Sequence, residues 1–233
     1  MNYPVADIVE QVKIILDQNQ QENSIIDTED NTLELDEVIR QKILHAARLL
    51  LETSDVSVID CGKTSSLNLE EIDGVSWGEL SAWKALLPND YLRLLTLKMS
   101  DWKRGVHATI PVESAEYSQL QSGFIGITGN PERPVVAEGQ HIGTLDNAVV
   151  QWRELETYTS ATGECDEFRY CPIPVYYTPT GETADYLDFP EKLYRHLLYQ
   201  TGSSVAATYK DSALAQLLMN MVYEGEPESK DEQ

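Results

Sequence analysis

The spacing of apolar residues changes twice along this chain, and that change constrains its fold more than any other feature. Near both ends apolar side chains recur every three or four residues, as on one face of a helix. In the middle they come in short alternating runs broken by Gly and Pro, as in strands and turns. Val5, Ile8, Val12, Ile15 and Leu16 form one stripe and predict a helix from about Pro4 to Gln18, with Pro4 suited to the first helical position. Leu35, Val38, Ile39, Ile43, Leu44, Ala47, Leu50 and Leu51 make a wider face and predict a second helix from about Asp36 to Thr53. The polar stretch 18–32 between them has the composition of a loop. A third helix is expected from Pro190 to Tyr209, with Gly202 a soft point, and a fourth from the N-cap Asp211 to Tyr223.

Between Asp55 and about Pro174 the candidate strands are Val56–Ile59, Ser81–Leu86, Tyr91–Met99, Val106–Ile110, Val135–Glu138, Val149–Glu156 and Glu167–Ile173. A short helix is expected over Pro111–Gln121, and a turn-rich connection with a mobile tip over Ser122–Pro134. Helices can bury their stripes only against each other or against a sheet, so the expected class is α+β: a four-helix bundle from the N- and C-terminal helix pairs, carrying an inserted antiparallel β subdomain. The boundaries read as 1–54 for the first helix pair, 55–187 for the β-rich insert, 188–223 for the second pair and 224–233 for a disordered acidic tail.

Charge narrows the functions. The chain has 39 acidic and 17 basic residues, a net charge of −22 at pH 7, and no basic stripe interleaved with aromatics. Affinity for a phosphate backbone comes largely from Lys and Arg, so nucleic acid is expected to pass without specific binding. No apolar run approaches the roughly 20 residues of a membrane span, and the first residues lack the basic and apolar regions of a secretory signal, so a soluble protein made in the cytoplasm is expected. Cys61, Cys165 and Cys171 are odd in number and form no Cys-x-x-Cys pair, which suits free thiols.

The motifs of known chemistry fail on spacing. Asp27-Thr28-Glu29-Asp30-Asn31 lies between two helices like a calcium loop, but the sixth position holds Thr32 in place of glycine and the twelfth Val38 in place of glutamate. His45, His107, His141 and His196 are far apart and make no metal-binding pattern. There is no Gly-x-Ser-x-Gly and no phosphate-binding glycine loop, and Cys165 sits among acidic residues that dull a thiolate. No catalytic residue, cofactor or metal is therefore expected. An acidic hydrolase acting through Glu70, Glu71 or Asp73 is a remote alternative.

One block is more specific. Leu87-Pro88-Asn89-Asp90-Tyr91-Leu92-Arg93-Leu94-Leu95 joins a Pro-Asn-Asp turn to an apolar strand, and Met99-Ser100-Asp101-Trp102-Lys103-Arg104 follows it. Trp83 and Trp152, in strands, are expected in the core, whereas the charges beside Trp102 suit an exposed contact. Taken with Asn130-Pro131-x-x-Pro134-Val135, the Pro172-Ile173-Pro174 strand end and the bracketing helix pairs, the block resembles the head-to-tail adaptor (connector, head-completion) proteins of tailed bacteriophages, and among them the ring proteins of crAss-like phages. Gly139–Asn147 and Thr159–Glu167 look like extra loops relative to that pattern.

The resemblance implies a virion protein without a catalytic step. Its subunits would form a ring, commonly twelvefold, in the neck beneath the portal, extend the DNA channel with an acidic wall, and dock the next tail or neck ring protein. Pro88, Asp90, Tyr91, Arg93, Asp101, Trp102 and Arg104, together with Met219, Tyr223 and Glu224 in the closing helix and tail, would be the residues meeting other copies or the portal. A soluble acidic chaperone or interaction module for a basic phage partner is the alternative from another class; its binding would weaken steeply with salt.

Overall fold

A computed structural model describes residues 1–18, 29–77, 80–115, 117, 131–145, 148–160 and 164–223. The acidic loop at 27–28, the tip at 118–130 and the tail at 224–233 lie outside them. The chain divides into two compact units, one built from Met1–Cys61 with Ile173–Gln233 and the other from Gly62–Pro172.

Among the described residues the first unit holds four α-helices, α1 (Val5–Gln18), α2 (Glu29–Thr53), α3 (Tyr194–Thr208) and α4 (Ser212–Tyr223). They do not make the expected four-helix bundle. In such a bundle each helix buries one stripe, but α3 buries Leu197, Leu198, Gln200, Thr201, Gly202, Ser203, Val205 and Ala206, nearly all of its circumference. α3 is therefore a hub, with α1, α2 and α4 each packed against it. Its small residues allow the close approach: a Cβ on Gly202 would lie 3.2 Å from the Leu218 side chain, and the Ser203 hydroxyl donates to the Ala215 carbonyl at 2.8 Å. The connection into α4 turns through Lys210 at φ 63°, and the Asp211 carboxylate caps α4 by accepting from Leu214 N–H at 2.9 Å.

A small sheet departs further from a bundle. β1 (Asn2–Pro4) pairs antiparallel with β11 (Tyr186–Asp188), which pairs in turn with β10 (Tyr176–Tyr177), so the strand before α1 lies edge to edge with the stretch that leads into α3. The 176–188 stretch is fastened to α2: Arg40 pairs with Asp185 at 2.5 Å, Thr178 donates to the same carboxylate at 2.9 Å, and the Tyr176 hydroxyl donates to the Arg40 carbonyl at 2.5 Å.

Further differences have local causes. α2 begins at Glu29, seven residues before the expected start at Asp36, and acidic residues such as Glu29 and Asp30 favour a helix N-terminus. Val56–Val58 is a 3-10 turn in place of a strand, because the Asp55 carboxylate accepts from Ser57 N–H at 2.7 Å and caps it. Pro190 opens a 3-10 turn over Glu191–Leu193 before α3.

Among the described residues the second unit contains two sheets. One is ordered β2 (Lys63–Thr64), β9 (Cys165–Pro172), β5 (Tyr91–Met99). The other is ordered β3 (Leu69–Trp77), β4 (Leu80–Leu86), β8 (Ala148–Ser160), β7 (Val136–Leu145), β6 (Ile110–Pro111). The expected purely antiparallel insert is corrected here, since β6 runs parallel to β7 and makes that sheet mixed. Pro111 ends a strand at the sheet edge, where a residue without N–H is tolerated; of the helix expected over Pro111–Gln121, Ala115 and Tyr117 are helical, and 116 and 118–121 lie outside the described residues. The predicted Val106–Ile110 strand reduces to the Leu97–Val106 bridge and Ile110. Of the stretches expected as extra loops from the resemblance, Gly139–Leu145, Thr159–Ser160 and Cys165–Glu167 are strand, and 146–147 and 161–163 lie outside the described residues. The two sheets share one core of Leu87, Tyr91, Leu94, Leu97, Met99, Trp102, Val136, Leu155, Phe168 and Tyr170. Tyr91, Phe168 and Tyr170 stack on one another there, with ring centroids 5.4–6.4 Å apart.

Candidate functional site

The Leu87–Arg104 block is the seam of the β unit. Its opening turn closes as the residue types require, with Tyr91 N–H donating to the Pro88 carbonyl at 3.0 Å. Asp90 then sits between two donors, Lys63 Nζ at 2.6 Å and the Tyr170 hydroxyl at 2.8 Å. Burial alone would push the Asp90 carboxyl up, but the hydrogen bonds from Lys63 and Tyr170 and the Lys63 charge outweigh it and hold it below the usual aspartate range. The same contact, with burial as the larger cause, pushes the Tyr170 phenol up to about 12.

A depressed folded-state pKa adds stability that is present above the unfolded pKa and lost as pH falls through the folded one. Acid unfolding of the β unit should therefore steepen below about pH 4, the ordinary aspartate value. In Asp90→Asn that part of the slope should vanish, leaving a variant less stable at neutral pH and less sensitive to acid. A pH series of chemical denaturation curves would show it, and equal slopes in the two proteins would refute the assignment.

Tyr91 is 1% exposed and anchors a second cluster between the sheets. Its hydroxyl donates to Glu138 Oε2 at 3.1 Å, the Thr109 hydroxyl donates to the same oxygen at 3.1 Å, and the Arg153 guanidinium engages Oε1. The guanidinium also lies 4.7 Å from the centroid of the Tyr91 ring and donates to the Tyr91 carbonyl at 3.0 Å. Burial first, and then the Glu138 charge, raise the Tyr91 phenol far above its usual range, so it keeps its proton and serves as a hydrogen-bond donor. Both oxygens of Glu138 are taken up. The cluster ties β5 of one sheet to β7 and β8 of the other.

The remaining marked residues fall elsewhere. Arg93 is half-buried on β5 opposite Cys171. Asp101, at the far end of β5, accepts a hydrogen bond from the Thr159 hydroxyl. Trp102 is 3% exposed and belongs to the core, which corrects its expected surface position. The Trp102 backbone N–H donates to the Met99 carbonyl at 3.0 Å, closing a tight turn, and the indole packs in the core that the two sheets share. Its charged neighbours face water, with Lys103 paired to Glu132 at 2.6 Å and Arg104 exposed. Met219 is half-buried on α4 in the other unit, Tyr223 is the last residue of that helix, and Glu224 lies outside the described residues.

Trp152 reverses its expectation, since it is 36% exposed on the β7–β8 hairpin. Its indole N–H donates to Glu154 at 2.8 Å, and its ring lies against Gly143, where a Cβ would approach within 2.6 Å. Trp83 is half-buried on β4.

The carboxylates of the remote hydrolase reading are separated. Successive residues of a strand point to opposite faces, so Glu70 pairs across β4 with Lys84 while Glu71 stands beside Trp83. The Asp73 side chain is outside the description. Burial chiefly, with Asp166 and Glu167, raises the Cys165 thiol above its ordinary value. Among the described residues no group of three His, Cys, Asp or Glu side chains is placed to hold a metal ion, and no helix is long and apolar enough to cross a membrane.

No family model matches this chain, and no curated protein is significantly similar to it. The residues that assemble around Asp90 and Tyr91, namely Lys63, Thr109, Glu138, Arg153 and Tyr170, were not marked by any motif. They are single positions, four on separate strands and Thr109 just before β6, brought together by the pairing of β9 with β2 and β5 and of β7 with β6 and β8.

Proposed function

We propose that the chain is a structural subunit of an adaptor ring in the neck of a tailed bacteriophage, joining the portal to the tail and extending the DNA channel. The observation that carries this is the use made of the Leu87–Arg104 block. Its aspartate and tyrosine are occupied in fastening one strand to another, as in a part that works by shape. Charge agrees with a conduit. The helix-bearing unit holds 23 acidic and 8 basic residues and the β unit 16 and 9, so both would repel a passing duplex. A head-to-tail interface between copies closes into a ring when the rotation between them divides a full turn, and twelve copies match the resemblance.

Native mass spectrometry of the purified protein, alone and mixed with the portal protein, is the test, with negative-stain imaging of any large species. A closed ring of about twelve copies in either sample is the expected result. A monomer indifferent to the portal, or absence of the protein from purified virions, would overturn the proposal.

A further inference from the structure

The β unit has an open groove of about 880 Å³ at the mouth between its two sheets. Leu67, Leu69, Trp83 and Phe168 line its apolar part, and residues 164–167 form a wall. Three observations give this groove a specific occupant.

The first is an unfinished strand. β2 pairs with β9 only at Lys63–Tyr170 and Thr64–Arg169, and the ladder closes with Ser65 N–H donating to the Phe168 carbonyl at 3.2 Å. Beyond that, among the described residues, no backbone hydrogen bond joins residues 66–68 to Cys165, Asp166 or Glu167. The first part of β9 thus has β5 on one side and the groove on the other, and an open strand edge is a template for another strand. The register passes from Lys98–Glu167 to Met99–Cys165, making Asp166 the extra residue of a bulge. A bulge bends its strand, so the edge suits a short segment.

The second is a donor without an acceptor. The indole N–H of Trp83 is buried and has no hydrogen-bond partner among the described residues. An orphaned buried donor is unfavourable, and it leaves the hydrogen bonding of this groove-lining residue incomplete in the free chain. The third is charge. Glu164, Asp166 and Glu167 stand in the wall, and the groove's lining among the described residues includes no Lys or Arg; Lys98, outside the lining, pairs with Asp166 at 3.6 Å. Residues 224–233 of the chain itself, with five acidic side chains and one basic, have the wrong sign to fill the groove.

We propose that this groove binds a short extended segment of a partner protein, in which basic and apolar side chains alternate. The segment adds as a strand beside Cys165–Glu167. Its apolar side chains rest on Leu67 and Leu69, and its Lys or Arg side chains meet Glu164, Asp166 and Glu167. The site belongs to the β unit and stands whether or not the chain forms a ring.

The test uses the full chain and two fluorescein-labelled peptides of equal charge. One alternates lysine and valine; in the other, proline replaces every second valine and removes the N–H groups a strand needs. Fluorescence anisotropy should show the first binding at least about tenfold more tightly, a difference of about 1.4 kcal/mol. Asp166→Lys, at an exposed position, should cost about tenfold in that affinity by reversing a wall charge. Ser66→Trp, which fills the groove at unchanged charge, should abolish the preference for the first peptide. Equal affinity for the two peptides would mean general attraction to an acidic protein and would overturn the proposal. So would binding unaffected by either variant, or no binding at all.

Discussion

Trp102→Ala is expected to lower the stability of the β unit by about 3–5 kcal/mol, the range for removing a large buried aromatic. The indole lies in the cluster that also holds Leu97, Met99 and Phe168, and alanine would leave a cavity among them. Trp102→Phe separates packing from polarity. It keeps most of the ring and removes an indole N–H that has no acceptor among the described residues, so its cost should be nearer 1 kcal/mol. Chemical denaturation followed by far-UV circular dichroism would measure both. Two compact units allow two transitions, so the variants should shift one of them. An alanine variant as stable as the parent would show that the side chain is not packed in the core.

Glu138→Ala has the second largest expected effect, about 3 kcal/mol, through the loss of a part-buried hydrogen-bonded ion pair. The substitution removes the acceptor shared by the Tyr91 and Thr109 hydroxyls and the partner of Arg153. Water can reach the Arg153 side chain, which is 37% exposed, but not the Tyr91 hydroxyl in its buried position, so the phenol accounts for much of the cost. Tyr91→Phe alone should cost about 1–2 kcal/mol, and together with Glu138→Ala less than the sum, because both remove one hydrogen bond. Strict additivity in that double-mutant cycle would separate the two residues.

What could be read in the sequence follows from the range over which each signal is set. α1 and α2 were legible because Val5, Ile8, Val12 and Leu16, and Ile39, Ile43, Ala47 and Leu51, are spaced by the helix itself, whatever they pack on. β5 was legible because a strand buried along its length is apolar along its length. The hub role of α3 was not, since Gly202 and Ser203 look like weak helix residues, and Ala206 like an ordinary one, until neighbouring helices are seen to need the space. β1, β10 and β11 are two or three residues each and exist through their partners. Trp102 misled because its neighbours in sequence are charged, while a turn reverses its direction within two residues. The Tyr91–Glu138–Arg153 cluster lies on strands far apart in the chain, and periodicity carries no information on such pairings.

The division into two units also sets an order of events during synthesis. Residues 62–172 are contiguous and can complete their contacts as soon as they have all emerged. The first helices cannot, because α3, the helix they pack on, and β11, the partner of β1, come near the end of the chain. At ribosomal rates of about 5–20 residues per second, the 155 residues from Thr53, the end of α2, to Thr208, the end of α3, take roughly 8–30 s to emerge, and the apolar stripes of α1 and α2 wait at least that long. During that interval residues 1–60, with 13 acidic and 4 basic side chains, carry their own electrostatic repulsion against premature association.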